Sequence, residues 1–238
     1  MSRSNLRLES LPGGRLARPA KNIAAAEPNA KEAKTPAKNP AKNSAKKDTA
    51  PKAAGEIRII GGLWKRTRLP VAQRPGLRPT PDRVRETLFN WLGQDLTGWH
   101  CLDAFAGTGA LGLEAASRGA AAVQLVENDA ALVAQLHKLQ ARLVATAVRV
   151  QRGDGIAALK HAAPASLHLV LLDPPFDSAL FEPALQAAAQ AVAANGYVYL
   201  EAPQAWTDEA LAPFGLTVHR HLKAGAVHAH LLQRRAAG

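Results

Sequence analysis

From His100 to the C-terminus, short apolar runs alternate with longer amphipathic segments, and this alternation constrains the fold more than any other feature of the chain. Runs at 100–105, 122–127, 147–152, 167–173 and 196–202 have the length and apolar character of strands buried on both faces. The intervening segments, 109–119, 129–143, 155–162, 178–194 and 204–212, carry apolar residues at helical spacing. Such alternation joins neighbouring strands in parallel through crossover helices that cover both faces of one sheet. Two last runs, 216–223 and 226–234, are separated only by Ala224-Gly225, too short for a crossover, so an antiparallel hairpin is expected at one end of the sheet. The predicted class is α/β, with a Rossmann-like, seven-stranded, mostly parallel sheet over 100–238.

The front of the chain is different. Residues 1–55 are rich in Ala, Lys, Pro and Asn, with a degenerate repeat running through Ala37-Lys38-Asn39-Pro40 and Ala41-Lys42-Asn43-Ser44. So little apolar surface cannot offset the entropy of ordering, and a disordered basic tail is expected. Residues 56–99 read as a small extension. Ile57–Ile60 and Leu63–Leu69 suit two short strands around Gly61-Gly62. Thr80 is placed to cap a helix with Pro81 at its first position and Val84, Leu88, Trp91 and Leu92 on its apolar face.

Charge follows the same division. The net charge is +11, with 12 Lys and Arg against 4 Asp and Glu in 1–55, 8 against 4 in 56–100, and 10 against 11 in 101–238. A polyanion held by the front of the molecule is therefore expected. Arg58, Arg66, Arg68, Arg78, Arg83 and Arg85 are interleaved with apolar residues and are the candidates for phosphate contacts. The single cysteine, Cys101, precludes a disulfide framework or a cysteine zinc site within the chain. No apolar stretch approaches the roughly 18 residues of a membrane span, and the first 20 residues lack the apolar h-region of a secretion signal. A cytoplasmic protein with no metal is expected, an organelle transit peptide staying open.

Chemistry concentrates at the ends of the first four sheet strands. Leu102 to Gly112 reads as strand, glycine-rich turn and helix start, so Asp103, Phe105, Ala106, Gly107, Thr108 and Gly109 are expected to cradle a ligand. Gly107 to Gly112 formally matches G-x-G-x-x-G, which keeps a dinucleotide oxidoreductase in view. Asp103, however, puts an anion where a pyrophosphate needs donors and where a cationic amino-acid group needs an acceptor. Glu127, beside Asn128, ends the second strand and can take ribose hydroxyls; Asp154, beside Gly155, follows the third and can accept from an adenine amino group. Taken in order, these acids describe a site for S-adenosylmethionine. Asp173-Pro174-Pro175-Phe176 ends the fourth strand. Its prolines leave only carbonyl acceptors, Asp173 adds a carboxylate, and Phe176 offers a ring for stacking, an arrangement suited to the exocyclic amine of a base. In isolation the same four residues would serve equally as a strand-ending turn.

Several blocks together resemble the bacterial RsmD family of 16S rRNA guanine-N2 methyltransferases. They are Arg58-Ile59-Ile60-Gly61-Gly62, Gly76-Leu77-Arg78-Pro79-Thr80, Asp82 to Leu92, Leu102 to Ala120 and Asp173 to Phe176, and the resemblance extends from Glu56 to the C-terminus. It implies a class I methyltransferase fold, S-adenosylmethionine as donor, and small-subunit rRNA in an assembling 30S particle as partner of a monomer. The 1–55 tail lies outside the shared pattern. Asp173 and Pro174 are expected to clamp the guanine amine for in-line transfer of the methyl, with Phe176 stacked on the base. A related enzyme acting on an adenine amine or a glutamine amide, and a non-catalytic RNA-binding assembly factor, are the other readings. Asn commonly stands where this chain has Asp173 in the adenine and glutamine enzymes. His219, His221, His228 and His230 alternate on the last two strands, with no spaced carboxylate or cysteine to complete a metal site.

Overall fold

The computed structural model describes residues 55–71, 80–176 and 178–235. The expectations for the basic tail and for Arg78 lie outside those residues. At the front, β1 (Glu56–Arg58) pairs antiparallel with β2 (Arg68–Pro70), and helix α1 (Asp82–Trp91) follows. The sheet begins with β3 (His100–Asp103), β4 (Ala122–Glu127) and β5 (Val148–Arg152), joined through α2 (Ala110–Ser117) and α3 (Ala130–Leu143). After α4 (Gly155–His161) the chain enters β6 (Leu167–Leu172), then α5 (Phe181–Ala191) and β7 (Val192–Ala202). A short α6 (Asp208–Leu211) leads to the hairpin of β8 (Leu216–Ala224) and β9 (Val227–Arg234).

The strand order is β5-β4-β3-β6-β7-β9-β8, parallel through β7 and antiparallel in the terminal hairpin, as the connection lengths require. Alternate side chains go to opposite layers. Cys101, Leu169, Leu171, Tyr199 and Leu231 pack with α1, α2 and α3 residues, whereas Leu102, Val170, Leu172, Leu200 and Leu232 pack with α4 and α5. The chain winds outward from β3 to β5 and returns to β6 on the other side of β3. The crevice where open α/β sheets bind ligands therefore opens between β3 and β6.

Four local expectations are corrected. The second front strand starts at Arg68, not Leu63, because the connecting segment is bound to α2 instead of pairing. The Leu63 amide donates to the Ser117 carbonyl at 2.7 Å, the Trp64 amide to Ser117 Oγ at 2.9 Å, and Ser117 Oγ to the Gly61 carbonyl at 2.6 Å. Gly62 has φ +73°, and a Cβ there would lie 1.8 Å from the Ser117 carbonyl oxygen. Thr80 does not cap α1: Pro81 occupies the cap position, and the Thr80 hydroxyl donates instead to Glu201 Oε1 at 2.6 Å. Helix α5 ends at Ala191 although its alanine run continues, because Val192 already pairs with Leu167. Helix α6 begins after Thr207, whose hydroxyl accepts from the Ala210 amide, so the expected start at 204 is too early.

Candidate active site

Sheet order turns the strand-end acids into one row: Asp154 after β5, Glu127 on β4, Asp103 on β3, Asp173 after β6 and Glu201 on β7. Register sets their depths. Asp103 pairs with Leu125 and with Leu171, so it lies two residues, about 6–7 Å, below the level of Glu127 and Asp173.

Asp103 is 1% exposed. Its Oδ2 accepts from the Gly112 amide at 3.0 Å, whereas Oδ1 is buried with no hydrogen-bond partner among the described residues. Burial pushes its carboxyl up to about 7; the Gly112 and Phe105 amides oppose that, and the charges of Glu127 and Glu201 add to it. A buried acceptor without a donor is costly, so this atom fits a cationic N–H group of a ligand. The turn from Phe105 to Gly109 folds over it. Ala106 and Thr108 are buried, Phe105 and Gly107 half-buried, and the Gly107 amide donates to Glu127 Oε2 at 2.8 Å. Glu127 Oε1 accepts from the Asp129 amide at 2.9 Å. Both contacts orient the carboxylate, and each oxygen keeps a second lone pair for a hydroxyl.

Asp154 has a structural task that the sequence reading did not assign: its Oδ1 caps α4 through the Ala157 amide at 2.7 Å. It remains exposed, as does Asn128. Gly155 is required by proximity, since a Cβ there would stand 1.8 Å from the Ala104 carbonyl oxygen. A cavity of about 480 Å³ lies elsewhere, lined by Glu182, Trp206, Pro213 and Phe214 but by none of the five acids.

Asp173 is half-buried, Pro174 buried and Phe176 37% exposed. The Pro175 carbonyl accepts from the Ser178 amide and hydroxyl. Among the described residues nothing donates to the Pro174 carbonyl or to the Asp173 carboxylate. Desolvation, then the charges of Glu201 and Asp103, raise the Asp173 carboxyl well above its ordinary range. An acid, a carbonyl to which no described residue donates and an accessible ring thus stand together at the end of β6.

The front arginines separate into two kinds. Arg58, Arg66, Arg68 and Arg83 are exposed; Arg58 pairs with Asp82 at 3.0 Å and Arg68 with Glu56 at 3.1 Å. Arg85 is corrected as a phosphate ligand. It is 0% exposed, bound to Asp82 at 2.6 Å, to Glu114 at 3.3 Å and to the Thr80 carbonyl at 3.2 Å. Its place beside Val84 and three residues before Leu88 puts it at the edge of the apolar stripe, a signal present in the sequence.

Two acids were missed. Glu114 stands within an otherwise small and apolar helix, so it had to be buried and paired. Glu201 carries the same mark as the other rim acids, a carboxylate at the end of a parallel strand. On the opposite face of the sheet, His221, His228 and His230 stack, with His221 and His230 ring centroids 4.7 Å apart. The Trp206 amide donates to His230 Nε2 at 3.0 Å, and burial lowers that imidazole to about 4, so it stays neutral. No metal-spaced group of three or more such residues occurs among the described residues. No described helix is long and apolar enough to cross a membrane. Cys101 is buried, its thiol pushed up to about 12 by desolvation, and is a core residue.

Residues 57–233 match the family described as "Conserved hypothetical protein 95". Ribosomal RNA small subunit methyltransferase D of Escherichia coli K12 is 42% identical over 187 residues, spanning 78% of this chain and 93% of that protein. The protein of the same name from Haemophilus influenzae is 39% identical over 174 residues, spanning 68% and 90%. The solved structure described as a putative methyltransferase, yhhF, from E. coli superposes with TM-score 0.66 at 43% identity, over 77% of this chain and 100% of that one. The sheet order described above is thus that of a class I methyltransferase.

Proposed function

The chain belongs to the conserved hypothetical protein 95 family, and on that premise we propose that it methylates the exocyclic N2 amine of a guanine in small-subunit rRNA, with S-adenosylmethionine as donor. The observation that carries the reading is the convergence at the switch point: Asp103 on β3, with an Oδ1 that has no partner among the described residues, and Asp173 after β6, with the Pro174 carbonyl, to which no described residue donates, beside it.

The cofactor fits the residues present. Asp103 Oδ1 takes a cationic N–H, Glu127 offers lone pairs to ribose hydroxyls, and the turn from Phe105 to Gly109 supplies the floor, with Asn128, Asp154 and Gly155 along the adenine side. When bound, S-adenosylmethionine supplies an electrophilic methyl group on a sulfonium. The protein's own work is positioning. The Asp173 carboxylate and the Pro174 carbonyl accept the two N–H groups of the amine and turn its lone pair toward the methyl. Phe176 stacks on the base, worth about 1–3 kcal/mol, once the nucleotide is unpaired or flipped out. Arg58, Arg66, Arg68 and Arg83 contact phosphates, Arg58 and Arg68 giving up surface ion pairs with Asp82 and Glu56 worth at most about 1 kcal/mol each. The substrate form, an assembling 30S particle met by a monomer in the cytoplasm, belongs to the same proposal.

The deciding experiment maps N2-methylguanine on small-subunit rRNA from cells with and without the gene. One guanine should lose its methyl group in the deletion strain and regain it on complementation. An unchanged methylation map, or a loss at adenine, would overturn the assignment.

Asp103 gives a second expectation. Binding of a cationic group needs the ionised carboxylate, but burial holds its carboxyl at about 7. Binding should therefore release a proton, and affinity should rise with pH up to about 7, by as much as about tenfold per unit. Calorimetry of S-adenosylmethionine binding in two buffers of different ionisation enthalpy measures that proton directly. A pH-independent affinity would show that Asp103 does not face the cation, and Asp103→Asn should abolish the slope.

A further inference from the structure

Glu201 has no part in the reading above, yet it is built into the same rim. It is 3% exposed, and the β6–β7 register of Leu171 with Tyr199 and Leu172 with Leu200 sets Asp173 beside Glu201. In a parallel sheet such neighbours project from the same face. Glu201 Oε1 accepts from Thr80 Oγ1 at 2.6 Å and from the Tyr199 hydroxyl at 2.9 Å.

A buried carboxylate costs several kcal/mol unless donors or charges offset it. Glu201 has such offsets: two hydroxyl donors and the positive charge of Arg85, which stands on α1 paired with Glu114 of α2. The groups facing it are Thr80 and Arg85 from the α1 side, Asp173 from β6, Asp103 from β3 and Tyr199 on its own strand. On the hairpin side β9 presents Ala229 and β8 presents Leu222, neither of which titrates. Burial raises the Glu201 carboxyl as well, but the Thr80 and Tyr199 hydroxyls and the Arg85 charge oppose that rise. Glu201 is therefore the member of the pair that gives up its proton first, and Asp173, which receives no hydrogen bond among the described residues, is the member that holds a proton more tightly.

We infer that Glu201 is a positioning residue that makes Asp173 basic enough to accept the proton leaving the methylated amine. This rests on the guanine-amine reading of Asp173. In that step the amine nitrogen's lone pair forms the N–C bond as the donor's C–S bond breaks, its electron pair remaining on sulfur. The N–H pair then returns to nitrogen while the proton goes to an Asp173 carboxylate oxygen and on to solvent. Burial alone already raises the Asp173 carboxyl, and the neighbouring Glu201 charge adds to that rise ahead of the charge of Asp103. Thr80 ties this tuning to the segment that leads into α1.

The test follows the Asp173 carboxyl directly, by ¹³C NMR titration of protein labelled at aspartate, with the signal assigned by its loss in Asp173→Asn. In Glu201→Gln, which keeps the shape and the carbonyl acceptor, the Asp173 midpoint should fall by about one pH unit or more. The rising limb of the methyl-transfer pH profile should move to lower pH with it. A midpoint that stays put or rises overturns the inference. Should Glu201→Gln fail to fold, the wild-type protein labelled at both Asp and Glu still decides. The two carboxyls must show a coupled, two-step titration, and independent single-step curves overturn the inference. An active Asp173→Asn enzyme would instead sink the underlying role of Asp173, whereas an inactive Asp173→Asn together with an unshifted Asp173 midpoint in Glu201→Gln sinks only the part given to Glu201.

Discussion

Asp173→Ala is expected to lower methyl transfer by about 10²–10⁴-fold while S-adenosylmethionine still binds. The substitution removes one of the two acceptors that orient the amine, together with the group placed to take its proton. Neither loss touches the cofactor's side of the crevice, because Asp103 Oδ1, Glu127 and the Phe105–Gly109 turn belong to β3, β4 and their connections. Asp173→Asn separates the two roles: the amide oxygen still accepts a hydrogen bond, but the group no longer accepts a proton. Single-turnover rates with labelled donor, set beside calorimetric affinity, check this. Near-normal turnover in Asp173→Ala would remove the residue from the mechanism, and parallel loss of cofactor binding would mean that it supports the cofactor site instead.

The largest stability effect is expected at Glu114, far from any reacting atom. Its buried carboxylate accepts from the Ile60 and Gly61 amides, each at 2.7 Å, from Arg85 at 3.3 Å and from Arg118 at 2.8 Å. Glu114→Ala leaves the buried Arg118 guanidinium without its counter-charge and Arg85 with Asp82 alone, and it removes the acceptor of the Ile60 and Gly61 amides, so that only Ser117 still ties the β1–β2 connection to α2. Breaking a buried ion pair from one side costs about 3–5 kcal/mol, which for a domain of this size lowers Tm by roughly 6–20 °C. Glu56→Ala is the matching control. Its pair with Arg68 leaves side chains 54% and 77% exposed, so its loss should cost under about 1 kcal/mol. Urea unfolding of the two variants measures the contrast, and equal effects would show that the Glu114 network is not what holds the front segment to α2.

Arg83 and Arg85 show where local reading stops. Two residues apart on one helix, they point about 200° apart, and only Arg83 reaches solvent. The helical wheel places Arg85 against the apolar stripe, but a buried arginine needs a carboxylate, and its partner Glu114 is 29 residues away. Thr80 makes the same point. Its sequence position suits a helix cap, yet its hydroxyl goes to Glu201, 121 residues distant. Local propensity ranks the options of each side chain, and a stronger partner brought near by the fold decides among them.

The order of strands and helices, the glycine turn after β3, the antiparallel hairpin and four of the five rim acids were all legible without coordinates. They depend on periodicity, connection length and residue type, which act over a few positions. What only the tertiary structure decided is which polar groups meet: Glu114 with two arginines, Thr80 with Glu201, and Asp173 beside Glu201 across neighbouring strands. Those meetings are set by sheet order and register, and a buried charge is tolerated only where its partner arrives. The chain's linear pattern specifies the elements, and the depth and company of each carboxylate emerge from their packing.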